Sequence, residues 1–353
     1  MREIIETSVE RLFADTLGTA TIAAAEAAWP ASLWSAVEES GLASATGPVS
    51  DGGGVPWSDV YVIVRAIGRH ALPLPLAETL FVRWLLETAG LEAPSGPLSF
   101  AVDRLSLATN GRVSGRLRGV PWGRDAKHVV AIAQPAAGVP SLVQLEVGDI
   151  KMELGRNLAC EPRDTLCFDH AVPVAVGRQP LSGEGDVMRL GGAMLRSAQI
   201  AGGMQRILQE SVQYAQDRRQ FGRSIGSFQA IQHQIAVLAE HATAADCIAE
   251  AAFASMGPRL PTLQIASAKI VASDAVSVGA ALAHGIHGAM GLASEHILHL
   301  ISRRLWAWRS EYGSREVWAR QLGELACDRG AAELWPAVTR GSFSRSGDKE
   351  MFG

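Results

Sequence analysis

Cysteine is scarce in this 353-residue chain, and a large excess of charge of one sign is missing. Its four cysteines, at positions 160, 167, 247 and 327, form no C-x-x-C pair, so zinc-finger and dithiol redox motifs lack support. The formal net charge of -4 is not the basic excess typical of nucleic-acid binding. The N-terminus has no apolar signal-peptide core, and no uninterrupted apolar run reaches the ~18 residues of a membrane helix. We therefore expect a cytoplasmic protein with no membrane span and no nucleic-acid partner.

Several catalytic and cofactor motifs are also missing. The chain contains no Walker A sequence, no H-E-x-x-H, and no G-x-G-x-x-G after a strand, which excludes the commonest nucleotide and zinc signatures. The stretch 222–226 matches G-x-S-x-G, but a charged helix end precedes it instead of the buried strand of a nucleophile elbow. Four histidines (284, 287, 296 and 299) form two i, i+3 pairs. We interpret them as helix-end and interface residues and predict no metal site.

The pattern of the sequence changes twice along the chain. Residues 1–96 predict an N-terminal helical domain, and residues 97–186 a middle antiparallel β domain. Residues 187–340 predict a C-terminal four-helix bundle, and residues 341–353 a tail. The fold class is thus α+β and mostly α.

Two local signals support this division. The middle region alternates apolar and polar residues around Asn110-Gly111, a sequence typical of a β-hairpin. The C-terminal region consists of Ala-rich helical segments of ~25 residues or more with short breaks, which is the pattern of an antiparallel bundle. Small residues such as Ala201 and Gly202 predict close contact between helices.

One segment, DRRQFGRSIGSFQAIQ at 217–232, concentrates residues that suit a ligand. A long helix ends in two arginines, a glycine-bounded turn follows, and a second long helix begins near Phe228. An arginine offers a planar fork of donors to pyrophosphate oxygens, and an aromatic residue at the turn can stack on a heteroaromatic ring. Taken alone, these residues could form an anion site between two helices, but they favour a solvated charged turn.

This segment and the order of domains together resemble the acyl-CoA dehydrogenase family over residues 10–330. The pattern R-x-x-F-G…F-Q-x-I-Q-x-x-x-A is among the most specific stretches of that family. Weaker likenesses are SLWSAVEESGLA, GGGVPW and IGRHALPLPLAETL near the N-terminus, and GVPWGRDAKHVVAIA in the β domain. HGIHGAMGLASEHILHLISRRLWAWRSEYGS resembles the last helices.

The resemblance implies a flavoprotein oxidoreductase that oxidises an acyl-CoA thioester to the trans-2-enoyl-CoA and passes electrons to an electron-transfer flavoprotein. It implies FAD as cofactor and an oligomer in which a neighbouring subunit's bundle holds the ADP half of each FAD. Residue by residue, it implies that Arg218 contacts the pyrophosphate. The other implied cofactor contacts are Phe221 and Ile225 beside adenine, Gln229 on the dinucleotide, Gly288 and Ala289 in a family Gly-Gly pair, and Trp122 near the isoalloxazine.

The chain departs from the family at the catalytic base. In the loop that usually reads E-G-[ST], Tyr312 occupies the glutamate position and Glu311 stands one residue early. The alternative position, near Gly192, has no carboxylate close by. The flavin-binding motif L-T-E-P-x-x-G-S-D is replaced by GPLSFAVDRLSLATNG. Thus the adenine side of the cofactor site is present and the flavin side is degenerate, with Glu311 as the candidate base.

Four interpretations stay open at this level. The chain is a flavoenzyme with a displaced base, or one subunit of a heteromeric dehydrogenase of the kind that acts on steroid or sterol side-chain thioesters. In the second case it is a partner subunit that need not be catalytic. A flavin-dependent monooxygenase on the same fold, and a non-catalytic CoA- or flavin-binding scaffold, are further alternatives.

Overall fold

The structure is a computed structural model that describes residues 1–46, 54–178, 186–257 and 260–341. Most of the predicted tail, residues 342–353, lies outside the described residues. The chain begins with helices, continues as one large sheet and ends in long helices. The first set of helices is α1 (Arg2–Thr16), α2 (Thr19–Ala24), α3 (Ala31–Glu39), α4 (Trp57–Arg69) and α5 (Leu76–Thr88).

The sheet has seven strands. They are β1 (Leu98–Leu107), β2 (Val113–Pro121), β3 (His128–Pro135), β4 (Ser141–Glu146), β5 (Lys151–Glu153), β6 (Arg163–Ala171) and β7 (Ala175–Arg178). Their order across the sheet is β5-β6-β2-β1-β3-β4-β7. The predicted hairpin at Asn110-Gly111 is confirmed, because β1 and β2 pair antiparallel across it and Gly111 has a φ of 77°.

The prediction of a purely antiparallel β domain is wrong, because β1 and β3 pair in parallel. One edge of β2 is occupied by β1 and the other by β6, so β3 cannot lie beside the strand that precedes it. The chain instead crosses over to the free edge of β1, which runs in the same direction as β3. The result is a mixed sheet.

The second set of helices begins with α6 (Val187–Asp217), which is capped by the Asp186 carboxylate accepting from the amide of Met188 at 3.0 Å. A two-strand hairpin follows, formed by β8 (Arg219–Gln220) and β9 (Arg223–Ser224). The remaining helices are α7 (Gln229–Ala254), α8 (Thr262–His287), α9 (Leu298–Trp308), α10 (Arg315–Arg329) and α11 (Ala331–Arg340). Helices α6, α7, α8 and α10 form the bundle, in which α8 contacts the other three.

Helix α6 also joins the bundle to the N-terminal helices. A Cβ atom on Gly202 would lie 1.9 Å from the carbonyl oxygen of Arg65, and one on Gly68 would lie 1.9 Å from that of Gln199. The backbones of α4 and α6 therefore touch, as the small residues of α6 predict. At ~1.5 Å per residue, the 31 residues of α6 span about 45 Å from the sheet to the far corner of the bundle.

Within the described residues, the segment Thr262–Leu292 is long and apolar enough to cross a membrane, with a mean hydropathy of 1.4. The prediction that no segment is long and apolar enough to span a membrane therefore does not hold for this segment, judged by length and composition alone. More than half of its most apolar window is buried inside the protein, and α8 packs against α6 and α7. These are the surroundings of a core helix in the bundle.

Candidate functional site at the two ends of helix α6

The bundle corner, defined as Tyr214, residues 218–228 and residues 285–290, surrounds a cavity of about 630 Å³. Five predicted cofactor residues line this cavity together. They are Arg218, Phe221, Ile225, Gly288 and Ala289. The sequence places them more than 60 residues apart in two groups, and the fold brings both groups to the same end of the bundle.

Phe221 is presented to solvent at a cost in backbone energy. Phe221 and Gly222 form the two-residue turn between β8 and β9, with φ values of 53° and 79°. Two positive φ values are typical of a type I′ hairpin turn, for which asparagine and glycine are the favoured residues. A phenylalanine in this conformation is strained by roughly 1 kcal/mol or more. Its side chain is nevertheless 91% exposed, so the strain places an apolar ring on the surface beside the cavity.

The other side of the cavity is the end of α8. Gly288 ends the helix with a φ of 57°, a conformation that favours glycine, and an added Cβ would meet no atom of the described residues within 4 Å. Both Gly288 and Ala289 are exposed, so the backbone here is open to a ligand. Gln229 is exposed on the first turn of α7 and is not among the residues that line the cavity. Its contact with the dinucleotide stays a prediction.

Aromatic rings complete the cavity wall and were missed by the sequence analysis as cofactor-site residues. Tyr214 stacks on His287 with ring centroids 4.5 Å apart, and His287 meets His296 edge to face at 4.9 Å. The available signal was spacing, because Tyr214 lies four residues before Arg218 on the same helix face. The histidines engage in ring contacts and hydrogen bonds, such as His284 Nε2 to Ser302 Oγ at 2.9 Å. In the described part of the chain, no group of histidines, cysteines and acids is arranged to hold a metal ion.

The opposite end of α6 lies under the loop that contains Glu311. This carboxylate belongs to a cluster of three carboxylates and three guanidinium groups, of which four are buried and two, Arg163 and Glu311, are partly buried. We call it the buried charge cluster. Its members are Glu78, Glu161, Arg163, Arg196, Arg304 and Glu311. They come from α5, the loop before β6, β6, α6, α9 and the loop before α10, so the cluster ties the sheet to both sets of helices.

Glu311 is bound on several sides inside this cluster. Arg163 donates to one carboxylate oxygen at 2.8 Å, Arg196 donates to the other at 2.6 Å, and the Asn157 amide donates at 3.0 Å. Burial alone would raise the pKa of the Glu311 carboxyl, but the charges of Arg163 and Arg196 and these hydrogen bonds bring it well below its usual range. A general base for a weakly acidic carbon needs a pKa raised toward neutrality. The geometry therefore argues against the predicted role of Glu311 as the base.

Tyr312 fills the space where the family's two possible base positions meet. A Cβ on Gly192 would lie 2.3 Å from the Tyr312 ring, so only glycine fits beneath it. The ring also stacks on Phe100, with centroids 5.5 Å apart, and its buried hydroxyl has no hydrogen-bond partner among the residues that the structure describes. Burial raises the pKa of the Tyr312 phenol well above its usual value. This side chain is thus a packing element and not a proton acceptor near pH 7.

Trp122 does not stand in an open site either. It is 4% exposed and packs edge to face on Trp29 of the N-terminal region, with centroids 6.1 Å apart. It is not among the residues lining the cavity at the bundle corner or the cavity beside Tyr312. The position does not support the predicted contact with the isoalloxazine.

The fit of FAD differs between the two ends of α6. At the bundle corner, the cavity volume, the exposed Arg218, the exposed ring of Phe221 and the open backbone at Gly288 fit the adenine and pyrophosphate side of the cofactor. At the other end, a cavity of about 460 Å³ is lined by Arg163, Glu311 and Tyr312, whose side chains are held in ion pairs and ring contacts. The residues there do not fit a flavin ring.

Comparisons with known proteins agree with this fold. The sequence profile of the acyl-CoA dehydrogenase C-terminal domain matches residues 191–326. The acyl-CoA dehydrogenase IpdE2 of Mycobacterium tuberculosis is 30% identical over 316 residues, which are 86% of this chain and 90% of that protein. The IpdE2 protein of Mycolicibacterium smegmatis is 25% identical over 311 residues, 86% of this chain and 91% of that protein.

Solved structures match in fold at low sequence identity. One chain of the ChsE4-ChsE5 complex of Mycobacterium tuberculosis superposes with a TM-score of 0.82 at 19% identity, covering 92% of this chain and 96% of that chain. One chain of the Tcur3481-Tcur3483 steroid acyl-CoA dehydrogenase superposes with a TM-score of 0.81 at 20% identity, covering 94% and 98%. The chain belongs to the acyl-CoA dehydrogenase family, whose reaction is the FAD-dependent α,β-dehydrogenation of acyl-CoA thioesters.

Proposed function

We propose that this chain is one subunit of a heteromeric acyl-CoA dehydrogenase. Its bundle corner holds the adenine and pyrophosphate half of an FAD whose flavin ring lies in a homologous partner subunit. The observation that carries the proposal is the contrast along α6, which has an open cavity with exposed cofactor residues at one end and a cavity walled by paired charges and the Tyr312 ring at the other. Bound FAD supplies the oxidising capacity for the reaction, and the partner supplies the catalytic base.

The length of α6 supports sharing between subunits. Gly192 and Arg218 are separated by 26 residues of continuous helix, or about 39 Å. That distance exceeds the length of an FAD molecule, so one cofactor cannot use both ends of the same chain. The bundle corner must therefore serve a ring bound elsewhere.

The end of α6 near Gly192 supports a heteromer over a homomer. Two copies of this chain would pair two open corners with two flavin sites that are walled by the paired charges of the buried charge cluster and by Tyr312. A partner subunit with an open flavin site and its own glutamate would provide the flavin-ring site that a second copy of this chain lacks. Within the buried charge cluster, Glu311 neutralises Arg163 and Arg196 and takes no proton from substrate.

The similar proteins support a proposal for the substrate and the electron acceptor of this chain. One solved neighbour is a steroid acyl-CoA dehydrogenase complex, and another is an electron-transferring flavoprotein structure. We extend to this chain an acyl-CoA substrate with a bulky, steroid-derived acyl group, electron transfer to an electron-transfer flavoprotein, and a cytoplasmic location.

The test is flavin stoichiometry. The chain is produced alone and together with a homologous candidate subunit, and flavin absorbance near 450 nm is measured per polypeptide. We expect the isolated chain to be colourless and the complex to carry one FAD per pair of unlike subunits. A yellow isolated chain that is reduced by an acyl-CoA contradicts the proposal, and rapid oxygen consumption by the reduced complex favours a monooxygenase.

A matched pair of substitutions tests the bundle corner in the same complex. Arg218 lines the cavity, whereas its exposed neighbour Arg219 does not. Removing a charge-assisted contact to pyrophosphate costs about 1.5–3 kcal/mol, or roughly 10- to 150-fold in affinity. We expect Arg218→Gln to lower FAD retention by that factor and Arg219→Gln to leave it unchanged. Equal effects of the two substitutions would remove the assigned role of Arg218.

A further inference from the structure

A second cavity of about 460 Å³ lies beside Tyr312, between the sheet, the start of α6 and α10. Apolar side chains form part of its wall, including Val102, Pro121 and Val317. Charged side chains from β2, β6, α6 and the loop before α10 form the rest, namely Arg118, Arg163, Arg189 and Glu311. A cavity of this size with an apolar wall and a few charged groups is typical of a small-molecule site.

Two of the three arginines are already neutralised. Arg118 is paired with Asp103 through its backbone amide at 2.7 Å and two side-chain bonds of 2.9 and 3.1 Å. Arg163 is paired with Glu311 and Glu161 inside the buried charge cluster. Glu311 is in turn shared with Arg196, so it has no free charge to offer a further cation.

Arg189 is the exception. Across the described ranges, no carboxylate lies within 4.0 Å of its guanidinium nitrogens, and its Nε and Nη2 atoms are buried without a hydrogen-bond partner. Its guanidinium instead covers the ring of Trp318, with the carbon Cζ 4.8 Å from the ring centroid. A cation–π contact stabilises the guanidinium but leaves its charge in place. The cavity wall therefore carries one uncompensated positive charge.

We infer that this cavity binds a small organic monoanion, a carboxylate attached to a compact apolar body, with Arg189 as its counter-ion. One positive charge matches one carboxylate, whereas a phosphate dianion would leave a negative charge uncompensated in a partly buried space. The apolar body would contact Val102, Pro121 and Val317. The site lies at the start of α6, beside Arg189, and its occupation does not depend on FAD.

Binding of three six-carbon probes tests this inference. Hexanoate, hexan-1-ol and hexyl phosphate are titrated into the full-length chain and, separately, into its complex with the flavin-bearing subunit, by calorimetry and ligand-observed NMR. We expect hexanoate to bind at least ten-fold more tightly than the other two. Equal binding of the alcohol, tighter binding of the phosphate ester, or no binding of hexanoate overturns the inference.

Three substitutions locate the site. Arg189→Gln should weaken hexanoate binding at least ten-fold, and Arg189→Lys, which keeps the positive charge, should restore part of it. Arg320, exposed on α10, provides the matched control, and Arg320→Gln should leave binding unchanged. Unchanged binding in Arg189→Gln contradicts the assignment. Because no readout involves FAD, failure here leaves the flavin stoichiometry of the proposed heteromer as a separate question.

Discussion

The bundle corner and the buried charge cluster lie at opposite ends of the same helix and are built in opposite ways. The corner displays Arg218 and a strained Phe221 to solvent around a cavity. The buried charge cluster hides three carboxylates and three guanidinium groups and pairs them with one another. The bundle corner leaves its charged and aromatic groups available to a ligand, while the buried charge cluster uses its charged groups in ion pairs with one another.

Arginine thus has two different roles in this molecule, binding a ligand at the bundle corner and stabilising the fold in the buried charge cluster. Strain at an exposed aromatic residue is unfavourable for the isolated subunit, which indicates that the residue serves an interaction outside it. Paired buried charges serve the subunit itself, because they are costly to separate once desolvated. Substitutions in the buried charge cluster should therefore act mainly on stability, and substitutions at the corner mainly on cofactor retention.

The largest effect is expected from Glu311→Gln. Breaking a buried ion pair costs about 3–5 kcal/mol, and the glutamine amide leaves Arg163 and Arg196 short of one negative charge. Because the folded pKa of Glu311 is depressed, its contribution is present above the unfolded pKa near 4 and is lost as the pH falls below it. Urea unfolding at pH 7 should show the full loss, and the difference from the unsubstituted chain should shrink toward pH 3.

The control for Glu311→Gln is Glu324→Gln on the exposed surface of α10, which should change the unfolding midpoint little. The comparison breaks if Glu311→Gln keeps full stability and instead abolishes dehydrogenation in the complex. That outcome would restore Glu311 as the base.

An intermediate effect, with opposite signs on stability and binding, is expected from Phe221→Asn. Asparagine is favoured in the left-handed conformation of a type I′ turn, so the substitution should stabilise the subunit by up to about 1 kcal/mol. The same change removes the ring beside the cavity, and loss of a stacking aromatic should weaken FAD retention roughly 5- to 10-fold. Thermal unfolding of the chain and flavin content of the complex measure the two effects. A variant that is destabilised and keeps its flavin would contradict both assignments.

The sequence predicted those features that depend on neighbours along the chain. The β1–β2 hairpin follows from Asn110-Gly111, and the long helices follow from uninterrupted Ala-rich segments. The bundle corner was predictable because Arg218, Phe221 and Ile225 lie within eight residues of one another, on a single turn. The ring of His287 at this corner was not assigned, because its partner Tyr214 is more than 70 residues away.

Features that depend on distant partners could not be predicted. The pKa of Glu311 is set by Asn157, Arg163 and Arg196, which belong to three other elements, so spacing around Glu311 carried no information on it. The parallel pairing of β1 with β3 depends on β6, which pairs with the edge of β2 that β1 leaves free. Trp122 likewise faces Trp29, a residue of the N-terminal helical region, and no local pattern indicates that contact.

The last test concerns the end of α6 near Gly192 and measures a slope of stability with pH. Lys269 of α8 is fully buried and donates to the carbonyl oxygens of Trp308 and Arg309 at 3.1 and 2.6 Å, just before the loop that carries Glu311. Burial lowers its pKa to about 7, while in the unfolded chain it stays protonated to about pH 10. Between these values the unfolded state binds the extra proton, so stability should rise with pH, by at most about 1.4 kcal/mol per unit. Lys269→Met should remove this rise between pH 7 and 9.5 in urea unfolding. An identical slope in both proteins would contradict the prediction, because it would mean that the Lys269 amine has the same charge in the folded and unfolded states.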